Sequence, residues 1–130
     1  MTTQPFAMVE KALRELVEAK YVPAAGNVGG DPSFDPATVD LFVEITLIHG
    51  QTDQIDGEWT VDVDTYGRSY NTAMGHALGL EAALIGPRHV TSVMRLDNVY
   101  QNEAPSERPW DDDGVFKIGA TYVMTARRTS

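Results

Sequence analysis

The chain of 130 residues contains no cysteine. That excludes disulfides, thiolate metal sites and cysteine nucleophiles, and nothing in it points to an oxidising compartment. It has no apolar run near the roughly 18 to 20 residues that a membrane-crossing helix needs. Met1 to Pro5 is polar and leads into a mixed-charge segment, so no secretory signal is expected. The three histidines, His49, His76 and His89, fall into no metal-ligand spacing. There is no HExxH, GxSxG, P-loop or GxGxxG sequence. The expectation is a protein with no catalytic residue and no cofactor, rather than an enzyme.

Basic residues are missing over one long stretch. From Tyr21 to Gly67 there is no lysine or arginine, while nine acids occur: Asp31, Asp35, Asp40, Glu44, Asp53, Asp56, Glu58, Asp62 and Asp64. The rest of the chain balances, so the net charge of −9 belongs to this block. The block reads as a solvated acidic surface, or as one selected to repel something or to hold cations, and the acidity argues against binding nucleic acid by neutralising phosphates.

What is present reads as one domain, residues 1–130, a length that suits a single core. Phe6, Val9, Leu13, Leu16 and Val17 follow helical spacing over residues 6–19, and Val22-Pro23 stops that helix. Residues 23–38 carry three glycines and three prolines and read as a long mobile loop. Leu41 to Ile48 and Trp59 to Asp64 alternate as strands, joined as a hairpin. Matching their apolar faces sets Leu47 opposite Trp59, Ile45 opposite Val61 and Val43 opposite Val63. Glu44 then lies beside Asp62, with Asp64 further along, and like charges placed so oppose pairing. That face must be wet, or offset by a cation or a partner.

Ser69 to Ile85 is a second helix, with Ser69 as N-cap and Gly86-Pro87 as stop. Its apolar residues lie nearly all round, so it is expected to be mostly buried. Gly75 and Gly79, four apart, allow close backbone approach. Val90 to Tyr100 and Val115 to Arg127 are further strands. Residues 101–114 between them read as a second long loop with Pro105, Pro109, Trp110 and Asp111-Asp112-Asp113. The order α-β-β-α-β-β gives an α+β, two-layer sandwich: about four strands, antiparallel or mixed, with two helices on one face. Phe42 and Ile48 fall on the uncovered face and mark a candidate subunit interface. Arg108, Trp110 and Asp111 to Asp113 are further interface candidates. Glu44, Asp62 and Asp64 are the weak candidates for a divalent cation, since carboxylate oxygens suit calcium or magnesium.

Several segments together resemble the tail terminator proteins of long-tailed bacteriophages. They are the leading helix ending at Tyr21-Val22-Pro23, then Phe42-Val43-Glu44-Ile45 leading to His49-Gly50-Gln51-Thr52-Asp53. Val61-Asp62-Val63-Asp64-Thr65-Tyr66-Gly67 follows, then the Ala-rich helix Ala73 to Leu84. Arg108-Pro109-Trp110 and the final strand Ala120 to Arg127 complete the series. The resemblance covers most of the chain, and the order of the motifs carries it. It implies a virion protein that forms a homohexameric ring and ends tail-tube polymerisation. One ring face would meet the tail tube protein, the other a head-completion or connector protein, and DNA would pass through the lumen without specific binding. Assembly in the host cytoplasm follows from that role. Glu44, Asp62 and Asp64 would then be acidic channel residues. Two other readings remain: a neck or head–tail connector subunit, and a soluble α+β ligand-binding module or small dimeric enzyme.

Overall fold

The structure is a computed structural model and describes residues 5–21, 28–29, 41–50, 57–108 and 115–127. Helix α1 spans Pro5–Lys20. Proline suits the first helical position, where its missing N–H costs nothing, and Lys20 complements the dipole in the last turn. Val9, Ala12, Leu13, Leu16 and Val17 form its buried stripe. Glu10 and Arg14 pair on the outer face at 3.0 Å, one helical turn apart. Helix α2 spans Tyr70–Leu84, and the Ser69 hydroxyl caps it by accepting from the Thr72 amide at 3.1 Å.

Among the described residues six strands form one mixed sheet: β1 (Val28–Gly29), β2 (Leu41–His49), β3 (Gly57–Gly67), β4 (Gly86–Val90), β5 (Arg95–Arg108) and β6 (Phe116–Arg127). The spatial order is β1-β2-β3-β6-β5-β4, with β1 parallel to β2 and all other neighbours antiparallel. Both helices pack on one face, against Leu41, Val43, Ile45, Trp59, Val61, Val63, Tyr122 and Met124. Ala73 and Ala77 of α2 close the same face over Ile118. The α+β class and the single helical layer agree with the sequence. The strand count does not, because two strands come from segments rich in breakers.

The first is β4. Gly86-Pro87 does stop α2, but the chain then enters the sheet at its edge. Proline is tolerated there, because the outward side of an edge strand needs no donor. A tight turn follows, where Thr91 Oγ1 accepts from the amides of Val93 (3.2 Å) and Met94 (3.1 Å) and donates to the Met94 carbonyl (2.8 Å). This turn splits the expected strand Val90–Tyr100 in two. The second difference is β5, which continues through residues 101–108, expected to be loop. It does so with register shifts at 97/100, 101/103 and 103/106, and such bulges accommodate Pro105 within the strand. Of the expected loop 23–38, only Val28 and Gly29 lie among the described residues, and they form β1.

The β2–β3 register is shifted by two residues from the expectation. Leu47 faces Val61, Ile45 faces Val63 and Val43 faces Thr65. A shift of two keeps every side chain on its face. A bulge between Leu47 and His49 and the seat of Trp59 accompany it. The Trp59 indole is fully buried and occupies the space a Cβ on Gly50 would need. Helix α2 is also less enclosed than expected: Ala73, Ala77, Leu80 and Leu84 are buried, but Leu78 is 51% and Ile85 43% exposed. Of its two glycines only Gly79 meets a neighbour among the described residues. The Tyr21 ring lies over it, 2.6 Å from an added Cβ, and the Tyr21 hydroxyl meets His76 Nδ1 at 2.5 Å.

Candidate functional site

The sheet face away from the helices carries the charge. Glu44 of β2 stands directly opposite Asp64 of β3, and Thr46 opposite Asp62. On the next ladder Asp62 faces Thr121, Asp64 faces Gly119 and Tyr66 faces Lys117. The acid that adjoins Glu44 is therefore Asp64, not Asp62, a consequence of the two-residue shift.

The repulsion is offset from within the chain. Arg108, the last residue of β5, stands opposite Lys117, and its side chain runs back over Gly119. Its Nη1 lies 3.1 Å from Asp64 Oδ1 and 3.1 Å from Asp62 Oδ2, and its Nη2 donates to Asp62 Oδ1 at 3.2 Å. Glu103 approaches at 3.6 Å. Thr121 Oγ1 donates to Asp62 Oδ1 at 2.7 Å and accepts from Arg108 Nη2 at 3.3 Å. A planar guanidinium can serve several carboxylate oxygens at once, which an ammonium cannot do as well. Gly119 is required by this geometry: a Cβ there would overlap both the Arg108 side chain and the Asp64 carboxylate. On the other side the Tyr66 hydroxyl donates to Glu44 Oε1 at 2.6 Å, and the Lys117 ammonium lies 5.6 Å from the Tyr66 ring centre.

Burial pushes the Asp64 carboxyl up to about 6, against the pull of Arg108 and Lys117, with Asp62 and Glu44 pushing in the same direction as burial. Burial, the Glu44 hydrogen bond and the Glu44 charge hold the Tyr66 hydroxyl well above its ordinary value. The groups are knit into a sheet-spanning network across β2, β3, β6 and β5. Among the described residues no three carboxylates or imidazoles gather as a metal-binding group. Glu44, Asp62 and Asp64 are close, but the Arg108 guanidinium already bridges Asp62 and Asp64, the cationic role left open for a metal ion.

The other candidates divide. Ile48 is 53% exposed beside the β2 bulge. Phe42 is on the face expected for it but is buried against Tyr66 and Val115. It supports the network's flank rather than offering open surface. Arg108 is an internal ion-pair partner. Trp110, Asp111, Asp112 and Asp113 lie outside the described residues. His76 meets Tyr21, with burial lowering its pKa, and His89 Nε2 meets the Leu84 carbonyl at 2.7 Å. The sequence reading missed Tyr66, Gly119 and Thr121. One signal was available: a block of nine acids without a base must find its cation outside residues 21–67.

No protein-family model and no curated protein sequence matches this chain. Among solved structures, it is similar in fold to a chain of the virion of a native gene transfer agent particle. The sequence identity is 15%, the match covers 92% of this chain and 94% of that one, and the TM-score is 0.68.

Proposed function

We propose that this chain is a structural virion protein of a tailed phage or phage-like particle, and specifically a tail terminator. The observation that carries the reading is the fold shared, over nearly the whole of both chains, with a component of a gene transfer agent virion. The order of motifs along the sequence supports the finer role. The site adds a compatible chemistry: its charged residues hold four strands together. In this reading the chain forms a homohexameric ring at the end of the tail tube. The ring stops tube growth and meets the tail tube protein on one face and a head-completion or connector protein on the other. In this reading the sheet face that carries Glu44, Asp62 and Asp64 lines the lumen, and its acids oppose close approach of the DNA phosphates, so the DNA passes without being held.

The test is removal of the gene from its particle. Tubes of uncontrolled length, seen by electron microscopy, are expected, with normal lengths restored by the wild-type chain. Tails of normal length that fail to join heads would replace the terminator reading with the neck or connector one. Particles unchanged in both respects would refute a virion role.

A further inference from the structure

At the sheet edge farthest from β1 the charge changes sign. Arg95 of β5 stands opposite Arg127 of β6, and Arg88 of β4 opposite Asp97. Asp97 is buried, and its Oδ2 lies 3.1 Å from the Nε atoms of both Arg95 and Arg127. One carboxylate thus serves two guanidiniums. Arg88 is exposed and has no acidic partner among the described residues. The three arginines, with Pro87, Asp97 and Asn98, line an open depression of about 530 Å³. Asn98 sits at φ 52°, in the left-handed region, at the bulge between Asp97 and Tyr100. Asparagine is among the few residues that adopt this conformation readily. The result is a rim of three positive charges over one negative in a chain of net −9.

The opposite end of the same hairpin carries the reverse. Residues 109–114 join Arg108 to Val115 and include Asp111-Asp112-Asp113. Ten residue steps of β6 separate Lys117 from Arg127, or about 34 Å along the strand. The described residues that flank the run, Arg108 and Val115, lie at the far end of β6 from the rim, and six residues of chain extend at most about 20 Å. We propose that the depression at Arg88, Arg95 and Arg127 receives the Asp111–Asp113 segment of a second copy. Three adjacent carboxylates match guanidinium forks that share a single internal acid. The contact joins unlike surfaces, so it runs head to tail and closes into a ring when its rotation permits. This inference rests on the reading of the chain as a self-assembling ring subunit, and names the surface that joins neighbours.

The experiment is sedimentation velocity on the full chain and three variants, with far-UV circular dichroism to confirm folding. Arg88→Glu with Arg127→Glu is expected to weaken association at least tenfold, as is Asp111→Lys with Asp112→Lys. Arg95 is kept, so Asp97 retains a partner. All four substitutions in one chain exchange the charges and are expected to restore association. Half-variants that assemble like the wild type, or a four-fold variant that stays dissociated, overturn the inference while leaving the ring reading intact. If the wild type does not self-associate, the ring reading is what fails, and a labelled peptide covering Pro109 to Gly114 decides the pocket. Binding that falls tenfold with Arg88→Gln/Arg127→Gln, and with asparagine in place of the three aspartates, supports the proposal. No binding, or binding indifferent to either change, overturns it. Preference for a short duplex DNA over the peptide, lost in the same arginine variant, also overturns it and makes the rim a phosphate site.

Discussion

Replacing Arg108 with glutamine tests the physical account of the charged face most directly. The substitution keeps a polar, though shorter, side chain but removes the cation shared by Asp62 and Asp64. Asp64 is 6% exposed in its side chain, Asp62 22% and Arg108 20%. Removing one partner of a fully buried pair costs about 3–5 kcal/mol, whereas an exposed pair is worth under about 1 kcal/mol. This site lies nearer the buried limit, which sets the expected loss at about 3 kcal/mol at pH 7.5. With an unfolding entropy of about 2.1 cal/mol/K per residue, a chain of this length should melt roughly 11 °C lower. The pH dependence distinguishes this cause from simple misfolding. Asp64 has an ordinary value of 3.8 and is pushed up to about 6 in the fold, so its ionised form opposes folding. Its contribution to stability is complete below about 3.8 and is lost as pH rises through about 6. Without Arg108 the carboxyl rises further, so the deficit of the variant should be greatest at pH 7.5 and smaller at pH 5, where Asp64 holds a proton. Adding Asp64→Asn to Arg108→Gln should return part of the lost stability at pH 7.5. Thermal melts by circular dichroism at pH 7.5, 6 and 5 measure all of this. A variant as stable as the wild type at pH 7.5, or one with the same deficit at every pH, would refute the reasoning.

The two helical glycines should respond in opposite ways. Gly75→Ala meets nothing within 4 Å and should raise stability by about 1 kcal/mol, the helix-propensity gain. Gly79→Ala drives a methyl into the Tyr21 ring and should lower stability by about 1–3 kcal/mol despite the same gain. Chemical denaturation of the two variants side by side checks the contrast, and equal effects would sink it. Tyr66→Phe removes the donor to Glu44 and should cost about 1.5–3 kcal/mol, read from the urea midpoint. A neutral outcome would mean that water replaces the hydroxyl. Ser69→Ala should cost about 1 kcal/mol through loss of the α2 cap, with the loss visible in thermal melts.

Local patterns in the sequence were sufficient for some elements and silent on others. The 3.6-residue spacing of Val9, Leu13, Leu16 and Val17 located α1, and the Ser69 cap with Gly86-Pro87 bounded α2 within a residue at each end. Alternation locates β2, β3 and β6 and assigns the faces of β2 and β3 correctly, because a side chain's face depends only on parity. Register was harder. Parity leaves shifts of two open, and the observed register goes with a buried Trp59 indole lying where a Cβ on Gly50 would be, a contact that no local pattern announces. The strand that runs through Pro105 was read as loop because proline removes a ladder donor, and only the bulges on β5 show how the sheet tolerates it. The enclosure of α2 was overestimated for a related reason. Its residues are apolar nearly all round, so periodicity could not tell which arc faces the sheet, and Leu78 and Ile85 stay outside.

The charged face shows why a site of this kind is only half visible in a sequence. That Glu44, Asp62 and Asp64 share a surface follows from alternation. That their repulsion must be relieved follows from Coulomb's law at strand spacing. What relieves it depends on a residue 44 positions from Asp64, carried by a strand that local signals did not reveal. The same step that hides the answer makes it specific. Arg108 reaches the acids only because β5 extends past Pro105, because β6 lies between β5 and β3, and because residue 119 of β6 has no side chain to block the way. The absence of a base over residues 21–67 therefore leaves the block without a local counterion and ties β2 and β3 to the far hairpin. A chain whose acids were paired locally would have no such tie. The ion pairs act as a fastener between strands distant in sequence.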